Sequence, residues 1–378
     1  MKVALIHDHL AQDGGAEKVL EVFSQMFPEA PIYTLLYDKK NVKHRYPNRQ
    51  IDASIIQKMP GGVRFYQWYL PIMPLAVEFF DLRKYDLVIS DTSSFAKGVI
   101  TLPETTHICY CHTPTRYLWS DTHQYINELK YNKYLKKIAS NILSRVRLWD
   151  RLAADRVDYF IANSCAVQAR IKKYYRRDSK VIYPPVETDK FFIAKELGDY
   201  FLIGCRLAPY KRVDLAIKTF KELGLDYKLK IFGDGVDMKR LKKIAKDCPN
   251  IEFVGRINDE YKAELFSKCL AFLNPQEEDF GISQVEAMAS GRPVIAFKKG
   301  GALDVVIENE TGLFFDEQTI ESMAPVVQKF YTDIKSEKNI WNSEKIREHA
   351  LKFSLENFKD NIKKFIAEIN QKKYENRG

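Results

Sequence analysis

Short apolar runs alternate with stretches of helical periodicity along almost the whole chain. In the first half, the runs KVALIHD, DLVISD, HICYC and DYFIANS each end at a polar or turn residue, and they predict buried strands. Stretches such as AEKVLEVFSQMF carry apolar residues at helical spacing. Strands that alternate with helices predict an α/β fold, with parallel sheets covered by helices on both faces.

A pair of prolines in YPPVETDKF interrupts this pattern at residues 184 and 185. The alternation then restarts. DYFLIGCRL, YKLKIFGDG, IEFVGRI, CLAFLNP, RPVIAF and TGLFF predict strands, and VDLAIKTFKELG and DMKRLKKIAKDC predict helices. We therefore predict two similar domains, residues 1–184 and 185–355, followed by an amphipathic helix over 356–378 that returns to the first domain.

Length and charge narrow the class of protein. A chain of 378 residues suits two domains, and the formal net charge of +9 suits an anionic partner: a nucleic acid, a phosphorylated ligand or an anionic membrane surface. A membrane span needs roughly 18–20 consecutive apolar residues, and no apolar run of this sequence is that long. The run from Val3 to Ile6 is also too short for the core of a signal peptide. Scattered cysteines fit a reducing compartment. These features predict a cytoplasmic protein.

Candidate binding residues fall where predicted strands give way to helices. Gly14 and Gly15 follow the first strand, where paired glycines let backbone N–H groups approach an anion. Arg206 and Lys211 follow the first strand of the second half, and two cations at this spacing can neutralise a diphosphate. The alternative interpretations are a tight turn and a solvated basic loop.

The stretch EEDFGISQVEAMASGRP, residues 277–293, carries two carboxylates eight positions apart. Glu278 lies on a predicted loop, and Glu286 lies on the helix predicted from about Ile282 to Ser290. The N–H groups of Gly281, Ile282 and Ser283 at the helix start can bind phosphate oxygens, and Glu286 can accept hydrogen bonds from sugar hydroxyls. His112, just past the strand HICYC, is a further candidate, although a histidine in such a place is more often structural.

These residues together resemble the retaining glycosyltransferases of family 4, which have the GT-B fold of two facing Rossmann-like domains with a catalytic cleft between them. Glu278 and Glu286 match the E-x7-E signature, Arg206 and Lys211 match the basic pair, and Gly14, Gly15 and His112 match the glycine-rich loop and the strand-end histidine. The resemblance covers nearly the whole chain. YDLVISDTSSFAKGV and CYCHTPTRYLW are further similar to bacterial mannosyltransferases of capsule and O-antigen synthesis.

The resemblance implies a role for each residue. Glu286 would hold the nucleotide ribose, Arg206 and Lys211 would hold the donor diphosphate without a metal ion, and Glu278 and His112 would contact the donor sugar. Backbone groups at Gly14, Gly15 and Phe280–Ser283 would add contacts to the donor, and the base would lie against Arg256 and Ile257. We expect hexose transfer, with mannose from GDP-mannose favoured, to a glycan or a polyprenyl-diphosphate-linked glycan in cell-surface polysaccharide synthesis.

Two stretches of the first half predict an acceptor side. Residues 61–82 are rich in aromatic and aliphatic residues, and residues 116–151 hold eight Lys and Arg against three Asp and Glu. Aromatics are interleaved with these charges at Tyr117, Trp119, Tyr125, Tyr131, Tyr134 and Trp149. Such a surface suits an anionic membrane, here the inner face of the plasma membrane, with a core helix and a solvated face as the alternative.

The sequence also allows other functions. The donor could be a UDP-sugar, and a nucleotide-sugar epimerase can have the same two-domain architecture. A basic nucleic-acid-binding protein would explain the charge but not the E-x7-E spacing, so we expect no nucleic acid as partner. A dinucleotide oxidoreductase needs G-x-G-x-x-G after a strand, and FGDGVD supplies only G-x-G.

Overall fold

The computed structural model of the chain describes residues 1–11, 14–129, 132–336 and 341–375. The chain divides into two compact units, Met1–Tyr183 (unit 1) and Pro184–Gly378 (unit 2). The division lies beside the proline pair. Residues 356–375 belong to unit 2 in this division, and their predicted return to the N-terminal domain stays a prediction.

Unit 1 contains, within its described residues, a parallel sheet of seven strands. The strands are β1 (Val3–His7), β2 (Ile32–Thr34), β3 (Ile51–Ala53), β4 (Leu87–Thr92), β5 (Thr106–Cys111), β6 (Tyr159–Ala162) and β7 (Ser179–Val181). The helices are α1 (Gly15–Met26), α2 (Lys39–Arg45), α3 (Met73–Glu78), α4 (Thr122–Glu128), α5 (Lys133–Ala153) and α6 (Cys165–Tyr175). The strand order is β3-β2-β1-β4-β5-β6-β7, so the winding reverses between β1 and β4.

Unit 2 contains a parallel sheet of six strands in the part of the chain that the structure describes. They are β8 (Tyr200–Gly204), β9 (Lys228–Phe232), β10 (Ile251–Gly255), β11 (Phe272–Asn274), β12 (Val294–Phe297) and β13 (Gly312–Phe315). The helices are α7 (Val213–Leu223), α8 (Met238–Ile244), α9 (Asp259–Lys268), α10 (Ile282–Ala289), α11 (Ala302–Val305), α12 (Ile320–Lys335), α13 (Ser343–Leu351) and α14 (Leu355–Glu375). The order β10-β9-β8-β11-β12-β13 reverses between β8 and β11.

The α/β prediction is confirmed, and the strands that the sequence predicts are all present. Every residue of β4, β5 and β8 is buried, as expected for parallel strands covered by helices on both faces. Strands β2, β3 and β7, which have three residues each, were not predicted from the sequence. Helix α8 ends at Ile244, four residues before the end of the predicted stretch.

A buried ion pair fixes α5 to the sheet of unit 1. Lys97 lies just after β4, and its Nζ donates to Asp150 on α5 at 2.5 Å; both side chains are 1% exposed. Asp150 also accepts from Trp119 Nε1 at 2.8 Å, Tyr175 hydroxyl at 3.0 Å and Thr115 hydroxyl at 3.2 Å. Burial alone would lower the pKa of Lys97, but the Asp150 carboxylate raises it overall. The charge therefore stays in the core because its partner and three further donors stabilise the carboxylate.

Candidate functional site

The strand order of unit 2 explains why Lys211 and Glu278 meet. Lys211 follows β8 and Glu278 follows β11, and these two strands are neighbours where the winding reverses. In such sheets ligands bind beyond the carboxyl ends of the strands at this point. Lys211 Nζ donates a short hydrogen bond to Glu278 Oε1, and Gln276 Nε2 donates to the same oxygen at 3.0 Å. Two predicted site residues 67 positions apart are thus brought together.

The Lys211 ammonium is largely buried, with 14% of its side chain exposed. Burial alone would lower its pKa, but the Glu278 carboxylate raises it above its usual value. The ammonium also lies 5.2 Å from the ring centre of Tyr210. Lys211 is therefore a fixed positive charge beyond the carboxyl end of β8, and an anionic ligand would compete with Glu278 for it.

Helix α10 begins as the sequence predicts, at Ile282, and ends one residue before the predicted Ser290. Its N-cap is Gly281, which has a φ of 104°, and within the described residues no side chain caps it. A positive φ of this size favours glycine. The N–H groups of Ile282 and Ser283 are therefore uncapped by a side chain in the described structure and could bind an anion, whereas the N–H of Gln284 donates to the Gly281 carbonyl at 3.0 Å. Phe280 is buried, its ring 5.6 Å from that of Phe353, so Phe280 could contact a donor through its backbone alone.

Glu286 lies on the buried side of α10 and is 3% exposed. Its Oε1 accepts from Lys262 Nζ on α9 at 2.6 Å. Its Oε2 is buried and has no hydrogen-bond partner among the described residues. An unpaired buried carboxylate oxygen is costly unless a ligand supplies the missing donor. The arrangement can accept a sugar hydroxyl, as predicted for Glu286.

Two glutamines in or beside the E-x7-E segment also have unpaired amide atoms. Gln284, fully buried on α10, has neither amide atom hydrogen-bonded in the described structure, and the same holds for Oε1 of Gln276. The Gln284 amide packs against Gly281, where an added Cβ would lie 2.3 Å from Nε2. Four buried polar atoms that lack partners in the described structure therefore lie in the segment 276–286, while others, such as His107 Nδ1 and Thr219 Oγ1, lie elsewhere.

The other predicted residues of unit 2 lie at strand ends but are more exposed. Arg206 follows β8, and its guanidinium contacts the Tyr210 hydroxyl at 3.4 Å. Arg256 and Ile257 follow β10 at the edge of the sheet, and Arg256 pairs with Asp234 at 3.2 Å.

Asp234 belongs to the FGDGVD turn, whose Gly233 and Gly235 lie against the backbone of Cys205 and Leu207. These glycines therefore serve close packing within the protein.

In unit 1, the predicted residues lie at the ends of β1 and β5. Gly14 is the N-cap of α1 and Gly15 its first residue, and no side chain caps this helix among residues 1–11 and 14–129. His112 follows β5, and its Nε2 donates to Asp91 on β4 at 2.6 Å. His7, the last residue of β1, contacts the other oxygen of Asp91 through Nδ1 at 2.9 Å. Asp91 is fully buried and joins the two imidazoles.

The predicted acceptor side is divided by the structure between core and surface. Tyr117, Trp119, Tyr125 and Trp149 are partly buried and pack against the core of unit 1, so they offer less surface to a membrane than the sequence predicts. Tyr134 is exposed, and Tyr131 lies outside the described residues. Residues 61–82 expose Trp68, which is 76% exposed, together with Phe65, Leu75 and Phe79.

The described ranges offer neither a candidate metal site nor a candidate membrane span. Within them, no group of three or more His, Cys, Asp or Glu side chains is placed to hold a metal ion. No helix in the described ranges is both long enough and apolar enough to cross a membrane. That the protein needs no metal ion stays a prediction.

Several partners of the predicted residues could not be named from the sequence. His7 and Asp91 did give a signal, because each is a polar residue at the end of an apolar run, in VALIHD and LVISD. Lys262 and Gln276 gave none. Lys262 lies 24 residues before Glu286, and only the packing of α9 against α10 brings them together.

Two family models match adjoining parts of the chain. The model described as Glycosyltransferase Family 4 matches residues 14–190, and the model described as Glycosyl transferases group 1 matches residues 187–347. Both are models of glycosyltransferases, which is the class of enzyme that the predicted site residues resemble.

Three individual proteins are also similar to this chain. The alpha-1,3/1,6-mannosyltransferase ALG2 of Dictyostelium discoideum is 24% identical over 98% of each chain. The GDP-mannose-dependent alpha-mannosyltransferase of Mycolicibacterium smegmatis is 38% identical over 32% of this chain and 31% of its own. Anabaena HepE, solved in complex with UDP, is 17% identical and superposes with a TM-score of 0.73 over 97% of this chain and 100% of its own. This likeness confirms the predicted GT-B fold.

Proposed function

Because the chain belongs to glycosyltransferase family 4, as the two family models that together span residues 14–347 show, we propose that it is a retaining mannosyltransferase. Its donor is GDP-mannose, and its acceptor is a glycan carried on a polyprenyl diphosphate. The reaction belongs to the synthesis of a cell-surface polysaccharide. The similarity to relatives named as mannosyltransferases, one of them GDP-mannose-dependent, supports this choice of donor.

The observation that carries the proposal is the half-paired carboxylate of Glu286. Lys262 neutralises it and fixes one oxygen, and the buried Oε2 is left without a partner in the described structure. A ribose supplies the hydroxyl donor that this oxygen lacks. Lys262 lies on α9, five residues after Ile257, where the base would lie. The ribose and the base would thus be bound by connected parts of unit 2.

The proposed chemistry uses positive charge at the leaving group. Arg206 and Lys211 bind the donor diphosphate and stabilise the negative charge that develops there, without a metal ion. The bond between the sugar C1 and the phosphate oxygen breaks, and a bond from C1 to the acceptor oxygen forms on the same face. The acceptor proton passes to the departing phosphate. Glu278 and His112 hold hydroxyls of the donor sugar, which orients C1 for this displacement.

A thermal-shift panel tests the donor. The protein is heated with GDP, UDP, ADP and their mannose, glucose and N-acetylglucosamine derivatives, without added metal. We expect a selective rise in Tm with GDP and GDP-mannose, because a ligand that binds the folded state stabilises it. Glu286→Gln should lose most of this rise, and Glu264→Gln, a matched change on the exposed face of α9, should keep it.

Other outcomes of the panel decide among the alternatives. A rise with UDP and its sugars alone would replace GDP-mannose by a UDP-sugar. Conversion of the nucleotide sugar to its epimer in the absence of an acceptor would favour the epimerase. If no nucleotide raises Tm, the assignment of Glu286 is wrong.

For the acceptor, we propose that unit 1 binds the inner face of the plasma membrane from the cytoplasm. Exposed apolar side chains support this: Trp68 and Phe79 in the segment 61–82, and Tyr134, Leu135 and Ile138 on α5. Lys133, Lys136 and Lys137 are interleaved with the α5 residues. Apolar side chains among lysines suit the interface of an anionic membrane, where a lipid-linked acceptor is found.

Flotation with liposomes tests membrane binding. Wild-type protein should float with vesicles that contain anionic lipid and should float less at high salt, because salt screens surface charge. Lys136→Glu with Lys137→Glu should reduce flotation. Lys242→Glu with Lys243→Glu, on exposed positions of α8 in unit 2, makes the same change in net charge and should not. Equal flotation of the α5 variant and wild type would contradict the proposal.

A further inference from the structure

Asp91 lies at the point of unit 1 where the winding of the sheet reverses. The register of β1 and β4 places His7 beside Asp91, and β5 on the other side of β4 leads to His112. One carboxylate therefore meets two imidazoles, at 2.9 Å from His7 Nδ1 and at 2.6 Å from His112 Nε2. His7 Nε2 in turn lies 4.0 Å from Glu17 on α1.

Asp91 and its histidine partners shift one another's pKa values. Burial alone would raise the pKa of Asp91, but His112 and His7 hold it below its usual value. Burial alone would lower the pKa of His7, but Asp91 and Glu17 raise it to about 10. Asp91 is thus an ionised carboxylate beside a charged His7 at neutral pH.

An ionised carboxylate accepts hydrogen bonds and cannot donate them. Both nitrogens that contact Asp91 must therefore carry a proton. In His112 the hydrogen bond to Asp91 therefore requires a proton on Nε2, whether the ring is charged or neutral. Nδ1 is then the nitrogen that can face a ligand. His112 is the less buried of the two rings, with 12% of its side chain exposed.

We infer that Asp91 is the positioning residue of His112: it holds the imidazole with Nε2 bonded to the sheet and with Nδ1 presented to the donor. This inference rests on the proposed function, in which His112 meets a hydroxyl of the donor sugar. The hydrogen bond at one ring nitrogen sets which atom is offered at the other. His7 and Glu17 complete the arrangement because they keep Asp91 charged and oriented.

Asp91→Asn gives a specific expectation. The charged His7 needs an acceptor, so the amide oxygen of the asparagine faces His7 and its NH2 group faces His112. His112 Nε2 must then accept, and the proton of the neutral ring moves to Nδ1. A wrong histidine tautomer can cost large factors in turnover, so we expect kcat to fall about tenfold or more, with a smaller change in KM for the donor.

The direct test is the nitrogen NMR spectrum of protein labelled in its seven histidines, with His112 assigned by its loss in His112→Ala. Wild type should show Nε2 of His112 protonated, and Asp91→Asn should show the tautomer reversed. Ser90→Ala is the matched control. Ser90 precedes Asp91 on β4 and binds another buried histidine, His107, at 2.9 Å. This variant should change neither the His112 signals nor kcat.

The outcomes separate this inference from the function on which it rests. A wild-type ring with its proton on Nδ1 overturns the inference without any variant, so poor folding of Asp91→Asn cannot hide the answer. Wild-type kcat in Asp91→Asn, when His112→Ala has lost activity, overturns it as well. If His112→Ala itself keeps full kcat and donor affinity, the contact between His112 and the sugar is wrong, whereas the NMR result still reports what Asp91 does.

Discussion

At the scale of single residues, Lys211 and Glu278 neutralise each other beyond the ends of β8 and β11. A diphosphate between Arg206 and Lys211 would draw the ammonium away from Glu278 and would free that carboxylate for the hydroxyls of a sugar. In the proposed complex, the ion pair would therefore preorganise both groups, because each is held in place by the partner that the donor would replace.

Lys211→Ala should lower kcat by about a hundredfold, because a fixed positive charge on the leaving group acts mainly in the transition state. Donor affinity should fall much less. The measurement is a steady-state assay over a range of donor concentrations, with Tm recorded to exclude unfolding. Lys218→Ala removes an exposed lysine from the neighbouring helix α7 and should leave kcat unchanged. Full activity of Lys211→Ala at saturating donor would mean that the diphosphate lies elsewhere.

At the scale of elements, α10 depends on the left-handed backbone of its N-cap. Gly281→Ala places a Cβ at a φ of 104° and 2.3 Å from the Gln284 amide, so it should destabilise the protein by about 1–3 kcal/mol. It should also weaken nucleotide binding, because the first-turn N–H groups shift. Gly224→Ala is the control, since Gly224 has a φ of 55° and open space around it. This variant should lower Tm with unchanged nucleotide affinity, as measured by calorimetry.

The anchoring of α5 gives a prediction about stability. Asp150→Asn leaves the Lys97 ammonium buried without its counter-charge, which should cost about 3–5 kcal/mol in the free energy of unfolding. Lys97→Met combined with Asp150→Asn should be less destabilised than Asp150→Asn alone, because the buried charge is gone. Urea unfolding of the two variants and wild type gives the comparison. A double variant that is less stable than Asp150→Asn would show that Lys97 acts through packing.

The elements also show where prediction from sequence ends. The apolar runs of β4, β5 and β8 are long enough to be found, and the strand–loop–helix order of 272–290 placed Glu278 and Glu286 correctly on loop and helix. The aromatics of 116–151 were assigned to a surface because composition does not show which face of a helix is covered. Trp149 faces the core, whereas Leu148 beside it is exposed. That difference depends on packing between α5 and distant segments.

At the scale of the whole molecule, each unit places a charged network where the winding of its sheet reverses. Unit 1 has Glu17, His7, Asp91 and His112, and unit 2 has Lys211 with Glu278. The parallel order brings residues there from remote parts of the chain, such as the 84 positions between His7 and Asp91. The sequence motifs therefore predicted His112 in unit 1 and both Lys211 and Glu278 in unit 2 as separate candidates, and only the topology shows which residues meet.

The network of unit 1 makes stability depend on pH. His7 has a pKa of about 10 in the folded protein against an ordinary value of 6.5, so its contribution is complete below pH 6.5 and is lost as pH rises towards 10. Asp91 and Glu17 behave in the opposite way. Burial alone would raise the pKa of both, but their histidine partners lower it, so their contribution holds above about pH 4.5 and is lost in acid. Together these groups stabilise the folded state most between about pH 4.5 and pH 6.5.

His7→Gln should remove the alkaline part of this dependence. At pH 6 the variant should be less stable than wild type by several kcal/mol, and the difference should shrink by up to about 1.4 kcal/mol for each pH unit above 6.5, because unfolded His7 no longer binds a proton there. Urea unfolding of both proteins at pH 6, 7.5 and 9 measures the difference at each pH. A constant difference would show that His7 stabilises unit 1 through packing alone, and that it does not supply the charge which keeps Asp91 ionised beside His112.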